Sequence, residues 1–282
     1  MDVEVLKRDD VSLKLLVKGV KLHLLNSLRR ALIAEVPVMA VDYVVFMENS
    51  SVFYDEYIAH RLALIPLSSE RALEKYKSPE ECREAGERGI FSEDCFVKLE
   101  LSGEGVRGGV KTLYAGDLVS GDPDVKPVYD KIPIIQLLEN QRIKLEAYAR
   151  LGRGREHIKW SPVSVAAHKY VASVKIDEGK CAYPKCRRCI EVCPRQVIVE
   201  KEGSIKVDEG KLLECSLCRL CETVCPSEAV KVSWKESEYI LYFESTGSLT
   251  PKRILIEAAR ALEDKLNTFK KALVEGVGYG GS

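Results

Sequence analysis

Eight of the chain's ten cysteines fall between Cys181 and Cys225, and their spacing repeats. One run reads Cys186-Arg-Arg-Cys189-Ile-Glu-Val-Cys193-Pro194, the other Cys218-Arg-Leu-Cys221-Glu-Thr-Val-Cys225-Pro226. Each cysteine of the first stands at the same offset from its counterpart in the second. Cys215 precedes the second run and completes C-x2-C-x2-C-x3-C-P. Two-residue gaps let a tight loop wrap one side of an iron–sulfur cube, and in a two-cluster arrangement the fourth thiolate comes from the other repeat. The proline after the last cysteine removes a backbone donor and turns the chain away. The spacing therefore assigns Cys215, Cys218, Cys221 and Cys193 to one [4Fe-4S] cluster. It assigns Cys181, Cys186, Cys189 and Cys225 to a second.

The first repeat departs from the pattern. Tyr183 stands where the upstream cysteine belongs, and the candidate ligand is displaced to Cys181, with Pro184 between it and Cys186. A bulge at Pro184 would let Cys181 reach. If it does not, that site keeps three ligands, the donor set of a [3Fe-4S] cluster, or holds nothing. Zinc also accepts four thiolates, but its usual form is two separated C-x2-C pairs, so no zinc is expected. Residues 171–234 resemble the bacterial-type two-cluster ferredoxins, and short strands are expected after each loop, at Val197-Ile198-Val199 and Ala229-Val230-Lys231-Val232.

The elements around this unit read as an α/β host. Residues 2–8 and 11–18 alternate as a strand hairpin, and Lys21 to Glu35 carries leucines at helical spacing until Pro37. Met39–Met47 is a strand, Tyr54 to Leu64 a helix, and residues 70–92 a charged, irregular stretch. Strands are expected at Phe96–Leu101, Val110–Tyr114, Arg142–Ala149, Val163–Ala167 and Tyr239–Glu244, with a helix-like piece at Ile134–Asn140. Thr250-Pro251 opens a long helix, an N-cap hydroxyl followed by proline at the first helical position. Ile254, Ala258, Leu262, Leu266, Phe269 and Leu273 form its apolar stripe, and Gly276 closes it. Such a helix is about 37 Å long. That is longer than a small domain needs, and it suggests a shared interface. Neither a lone hairpin nor a lone helix buries its apolar face, so the two ends of the chain should pack together.

The 282 residues correspond to roughly two domains and room for a small third. The 43 basic and 43 acidic residues balance, which argues against a free-standing nucleic-acid binder. At 46% hydrophobic residues the chain can build ordinary cores. No apolar run approaches the ~18 residues of a membrane span, and no secretory signal opens the chain, so a reducing cytoplasm is expected. There, structural disulfides are the least expected use of cysteine.

Three host segments resemble one family, the α-like D subunits of archaeal RNA polymerases, counterparts of the bacterial α subunit. The first is Asn26-Ser27-Leu28-Arg29-Arg30-Ala31-Leu32. The second is Asp55-Glu56-Tyr57-Ile58-Ala59-His60-Arg61-Leu62-Ala63-Leu64-Ile65-Pro66-Leu67. The third runs from Ala149-Arg150-Leu151-Gly152 through Gly154, His157, Lys159 and Trp160 to Pro162. With the terminal helix, the resemblance spans essentially the whole chain, and some archaeal members carry this ferredoxin insertion. It implies an α+β fold in three parts. These are a discontinuous dimerisation domain of residues 1–50 and 235–282, an inserted mainly-β domain over 51–170, and the ferredoxin-like domain over 171–234.

The resemblance also implies a scaffold without catalytic residues. It would pair with the small subunit L and carry the small subunits N and P and the large subunits, with no direct hold on nucleic acid. Asn26, Arg29, Arg30, Leu262, Leu266 and Phe269 would face partners. The clusters would stabilise the insertion and could link assembly to redox state. The competing reading is a ferredoxin-type electron-transfer subunit of an oxidoreductase, although no flavin or nicotinamide fingerprint accompanies the cysteines.

Several other signals carry less. Gly103-Glu-Gly105-Val-Arg-Gly108 matches a dinucleotide fingerprint by letter, but a strand rather than a helix should follow, which makes it a hairpin turn. Asp122, Asp124 and Asp130 sit in a Pro/Gly loop and read as a solvated surface rather than a magnesium site. His157, Lys159 and Trp160 read as a turn packed against another subunit. Cys82 and Cys95 read as ordinary thiols, with a labile disulfide as the alternative.

Overall fold

The computed structural model describes residues 1–278, with side chains through residue 275. Strands β1 (Asp2–Arg8) and β2 (Ser12–Lys18) are joined at a turn in which the Asp9 carboxylate accepts from the N–H groups of Val11 and Ser12. Helix α1 (Leu22–Ala34) stops before Pro37, where β3 (Pro37–Asn49) begins. Helix α2 (Asp55–Ala63) buries Ile58 and Leu62 and has Asp55 and Glu56 at its positive N-terminal end.

The stretch 70–92 is not irregular as expected. It holds α3 (Ala72–Lys75) and α4 (Pro79–Glu87). The signal for α4 was local. Ser78 and Glu81 form a capping box around Pro79 at the first helical position, and this outweighs a composition poor in apolar residues.

Strands β4 (Phe96–Glu104), β5 (Lys111–Tyr114) and β6 (Val119–Ser120) follow. The helix expected at Ile134–Asn140 is instead β7 (Pro133–Leu137), paired antiparallel with β5. Short apolar runs are ambiguous in period, and the β-branched Ile134 and Ile135 favour the strand. The glycine segment after β4 is followed by a strand, as expected, but it is no hairpin turn, because β4 and β5 lie in different sheets. A Cβ on Gly105 would fall 1.7 Å from the Leu138 carbonyl oxygen, so close backbone approach requires that glycine.

Next come β8 (Arg142–Arg153) and the long β9 (Val163–Ile176). The cysteine segment supplies α5 (Arg188–Glu191), β10 (Ile198–Lys201), β11 (Ser204–Val207) and α6 (Leu220–Thr223). The chain ends with β12 (Val230–Ser245) and α7 (Pro251–Gly278). The Thr250 hydroxyl accepts from the Arg253 N–H at 3.3 Å, which is the expected cap, but α7 runs on past Gly276.

Among the described residues the result is a mixed α+β fold with four sheets, ordered β1-β2-β12-β9, β3-β8-β4-β6, β5-β7 and β10-β11. Strand β2 pairs with β12, and the N–H of Gly19 donates to the Ser237 carbonyl at 2.8 Å.

Two compact units emerge. One comprises residues 1–7, 14–25 and 167–242, the other residues 8–13, 26–166 and the chain from Phe243 on. The core of the second lies on β4 and β8, whose alternate residues Leu99, Leu101, Ile143, Leu145, Ala147 and Ala149 are buried, with Ile58 and Leu62 of α2 packed in the same cluster. Alternation of buried and exposed positions along β4 is what a sheet with one wet face requires.

Three expectations are corrected in this unit. Cys82 and Cys95 are not free thiols but a buried disulfide that ties α4 to the start of β4. Asp122 is not on a solvated surface: it is buried, accepts from Lys75 Nζ at 2.6 Å and from the Tyr76 hydroxyl, while Asp124 pairs with Arg71 and Asp130 stays exposed. Burial alone would raise the Asp122 carboxyl, but Lys75 and Tyr76 outweigh it and hold it below its usual value. Trp160, finally, packs within its own chain and is buried beneath Gly152, where an added Cβ would sit 2.3 Å from the indole.

Candidate metal centre

The internal repeat of the sequence is repeated in the backbone. Cys189 sits in the single turn α5 and Cys221 in the single turn α6. After Cys193-Pro194 and Cys225-Pro226, Gln196 and Glu228 adopt left-handed φ values of 50° and 49°. That reversal aims the next amide back at the sulfur: Val197 N–H donates to Cys193 Sγ at 3.4 Å, and Ala229 N–H to Cys225 Sγ at 3.3 Å. A strand follows each time, β10 after the first and β12 after the second. Ile198, Ile205, Val230 and Val232 form a small core beneath, with Cys189.

Cys193, Cys215, Cys218 and Cys221 line one cavity. Its floor is apolar, with Val174, Ile198 and Val232. Burial pushes the Cys221 thiol up to about 11, and the sulfurs of Cys193, Cys215 and Cys218 add to the rise. Thiolates crowded in an apolar pocket are unfavourable unless a metal neutralises them.

The other set is gathered in part. Burial raises Cys189, and Cys181 and Cys225 raise it further, so the displaced Cys181 lies with these two. Cys186 is half-buried and its N–H donates to the Ala182 carbonyl. Burial opposes ionisation of Cys225, but the Ser227 hydroxyl and the N–H groups of Val230, Ala229 and Ser227 outweigh it and lower its pKa. Among the described residues, no three His, Cys, Asp or Glu side chains close on a point as a single ion requires. Four soft sulfur donors spread around a cavity are the donor chemistry of an iron–sulfur cube, and the first set fits one.

Of the predicted partner-facing residues, Asn26 and Arg29 are half-buried and joined at 3.0 Å, and Arg29 also reaches the Ala166 carbonyl at 3.4 Å. Arg30 is exposed. Along α7, Ile254 and Ala258 are fully buried, Leu262 is half-buried, and Leu266 and Phe269 are 67% and 62% exposed. Leu273 and Val274 continue that exposed run.

Sequence reasoning missed Asp42. Its carboxylate takes Arg150 Nε at 2.7 Å and Lys159 Nζ at 2.5 Å, and both cations lie over the Trp160 ring. The two cations were visible in the motif around Trp160; the anion that joins them comes from a distant strand.

Residues 44–168 match the family model described as the RNA polymerase Rpb3/RpoA insert domain. The chain is similar to the DNA-directed RNA polymerase subunit Rpo3 of Aeropyrum pernix, 41% identical over 98% of this chain and 96% of that protein. It is 38% identical to the Rpo3 subunit of Methanosarcina mazei, over 94% and 95% of the two chains. The Rpo3 subunit of Archaeoglobus fulgidus is 39% identical, over 97% and 98%.

Proposed function

This chain belongs to the archaeal Rpo3 family of DNA-directed RNA polymerase subunits, and from that premise we propose that it is a non-catalytic assembly subunit whose terminal helix recruits its first partner. The observation that carries this reading is the change of burial along α7. Its first turns are core, while Leu266, Phe269, Leu273 and Val274 stand exposed. An apolar helical ridge continuous with a core is the half-interface of an obligate pair. The partner is the small subunit L, and the surface is built by residues 1–50 and 235–282. Arg29, held by Asn26, and the exposed Arg30 then meet further chains, the small subunits N and P and the large subunits. The match over residues 44–168 supports the inserted domain placed at 51–170.

The cysteine segment is a ferredoxin-like lobe with two iron–sulfur sites. Cys193, Cys215, Cys218 and Cys221 hold one cube, and Cys181, Cys186, Cys189 and Cys225 hold the other. The cubes supply metal–thiolate bonds that tie together loops with a small core, and a capacity to take up an electron. The chain's own part is to orient eight sulfurs and to aim the amides of Val197 and Ala229 at two of them. Loss of a cube would loosen the lobe and couple assembly to oxidation. No described helix is long and apolar enough to cross a membrane, and a cytoplasmic location is part of this proposal.

Anaerobic co-expression with subunit L tests the reading. The expected result is a stable heterodimer carrying about eight iron atoms per chain with matching sulfide. A chain that stays apart from subunit L overturns the assembly role, and co-purification with a flavoprotein favours the electron-transfer alternative. A chain that binds zinc or nothing overturns the cluster assignment.

A further inference from the structure

Lys169 of β9 donates from Nζ to the carbonyl oxygen of Cys215 at 2.9 Å. The charged and titratable groups around it are the cations Lys14 and Arg195, the Cys215 sulfur and the exposed Glu214. Lys14 and Lys169 are both half-buried, and the exposed Arg195 lines the rim of the cavity shared by Cys193, Cys215, Cys218 and Cys221. Among the described residues, none of these three cations has a carboxylate within ion-pair distance. Half-buried lysines gathered without a counter-ion repel one another in a medium that screens poorly. The arrangement is costly unless an anion stands in the cavity.

The second cysteine set has different surroundings. Arg187 pairs with Glu200 at 3.0 Å and Lys180 with Asp177 at 3.9 Å, while Lys185 and Arg188 are exposed to water. Cations there are either neutralised or screened.

We propose that Lys169, with Lys14 and Arg195, is the counter-charge of the group held by Cys193, Cys215, Cys218 and Cys221, and makes it the more easily reduced of the two sites. This rests on the cluster reading above. A cube held by four thiolates is anionic, and reduction adds one further negative charge, so fixed cations stabilise the reduced form more. Lys169 acts as a positioning residue as well, since it ties the Cys215 loop to the host sheet through a carbonyl rather than through sulfur.

The test uses the full chain, purified anaerobically with subunit L, and three variants: Lys169→Gln, Lys169→Arg and Lys14→Gln. Iron and sulfide are measured first, and a dithionite titration is then followed by electron paramagnetic resonance, dithionite supplying the single electron and no proton moving. Wild type should show two midpoints. Lys169→Gln should lower the upper one by the equivalent of about tenfold in the oxidised-to-reduced equilibrium and leave the lower one in place. Lys169→Arg should restore it. An upper midpoint unmoved in Lys169→Gln, or a shift confined to the lower one, overturns the proposal while leaving the cluster assignment intact. Should Lys169→Gln fail to load iron, Lys14→Gln must lower the upper midpoint, and no movement there overturns it equally. Wild-type chain without iron overturns the cluster assignment itself, and this proposal with it.

Discussion

The guanidinium carbon of Arg150 lies 4.3 Å from the centre of the Trp160 ring, in a position where the side chain is almost wholly shielded from water. Asp42 neutralises it at 2.7 Å, Glu156 flanks it at 3.3 Å, and the Trp160 indole N–H returns a bond to the Arg150 carbonyl. Breaking a buried charge set by removing one partner costs far more than the pair contributes, because the remaining charge is stranded. Asp42→Asn leaves Lys159 uncompensated and Arg150 with Glu156 as its one carboxylate, and should cost about 3 kcal/mol in urea unfolding. Trp160→Phe keeps a ring but loses the N–H bond and part of the cation–π attraction, for about 1 to 2 kcal/mol. The reverse order of effects would show that the ring, not the carboxylate, organises the motif.

Helix α4 offers the core only Pro79, Cys82, Ala85 and Gly86, so the disulfide to Cys95 is its main fastener. Replacing both cysteines by serine should cost about 3 kcal/mol, the loop-closure value for a ring of this size. Dithiothreitol should bring the wild-type protein down to the variant in the same denaturation curve. Equal stability with and without reductant would count against a bonded pair in solution.

The Asp122 carboxyl is held below its usual value in the folded chain, so its stabilisation is present above the unfolded value of about 3.9 and fades as pH falls through the lower folded one. Asp122→Asn should lose about 2 kcal/mol at pH 7 and show a shallower decline of stability as pH falls below about 4. Unfolding curves collected across that range give the comparison.

On α7 the two halves should answer differently. Ile254→Ala opens a cavity in a fully buried site and should cost about 2 to 4 kcal/mol. Leu266→Glu with Phe269→Glu alters exposed positions and should leave the unfolding midpoint of the isolated chain within about 0.5 kcal/mol, yet weaken binding to subunit L by roughly a hundredfold or more. Isothermal titration against that subunit separates the two. Retained binding would move the interface elsewhere.

What could be read from residues alone was what periodicity and spacing encode. The terminal helix declared itself through Thr250-Pro251 and a stripe from Ile254 to Leu273, and the structure carries both. The cysteine spacing led to a set of four that line one cavity. Period alone failed at β7, where five residues are too few to separate strand from helix. It was composition that misled at α4, because an exposed helix held by a disulfide needs few apolar side chains. Long-range partners were invisible for a simpler reason: Asp42 and Arg150 meet only once β3 and β8 are in register, and Lys75 and Asp122 only once α3 packs beside the loop after β6. The Cys82–Cys95 pair was left open between two states, and the structure has the two sulfurs bonded.

The bare outer half of α7 makes solitude hazardous for this polypeptide. A copy synthesised in excess of its companion would present a greasy ridge to every other surplus copy and clump with them. On the pairing proposed above, matched production of the two subunits is thus a condition that the shape of one helix imposes on the cell.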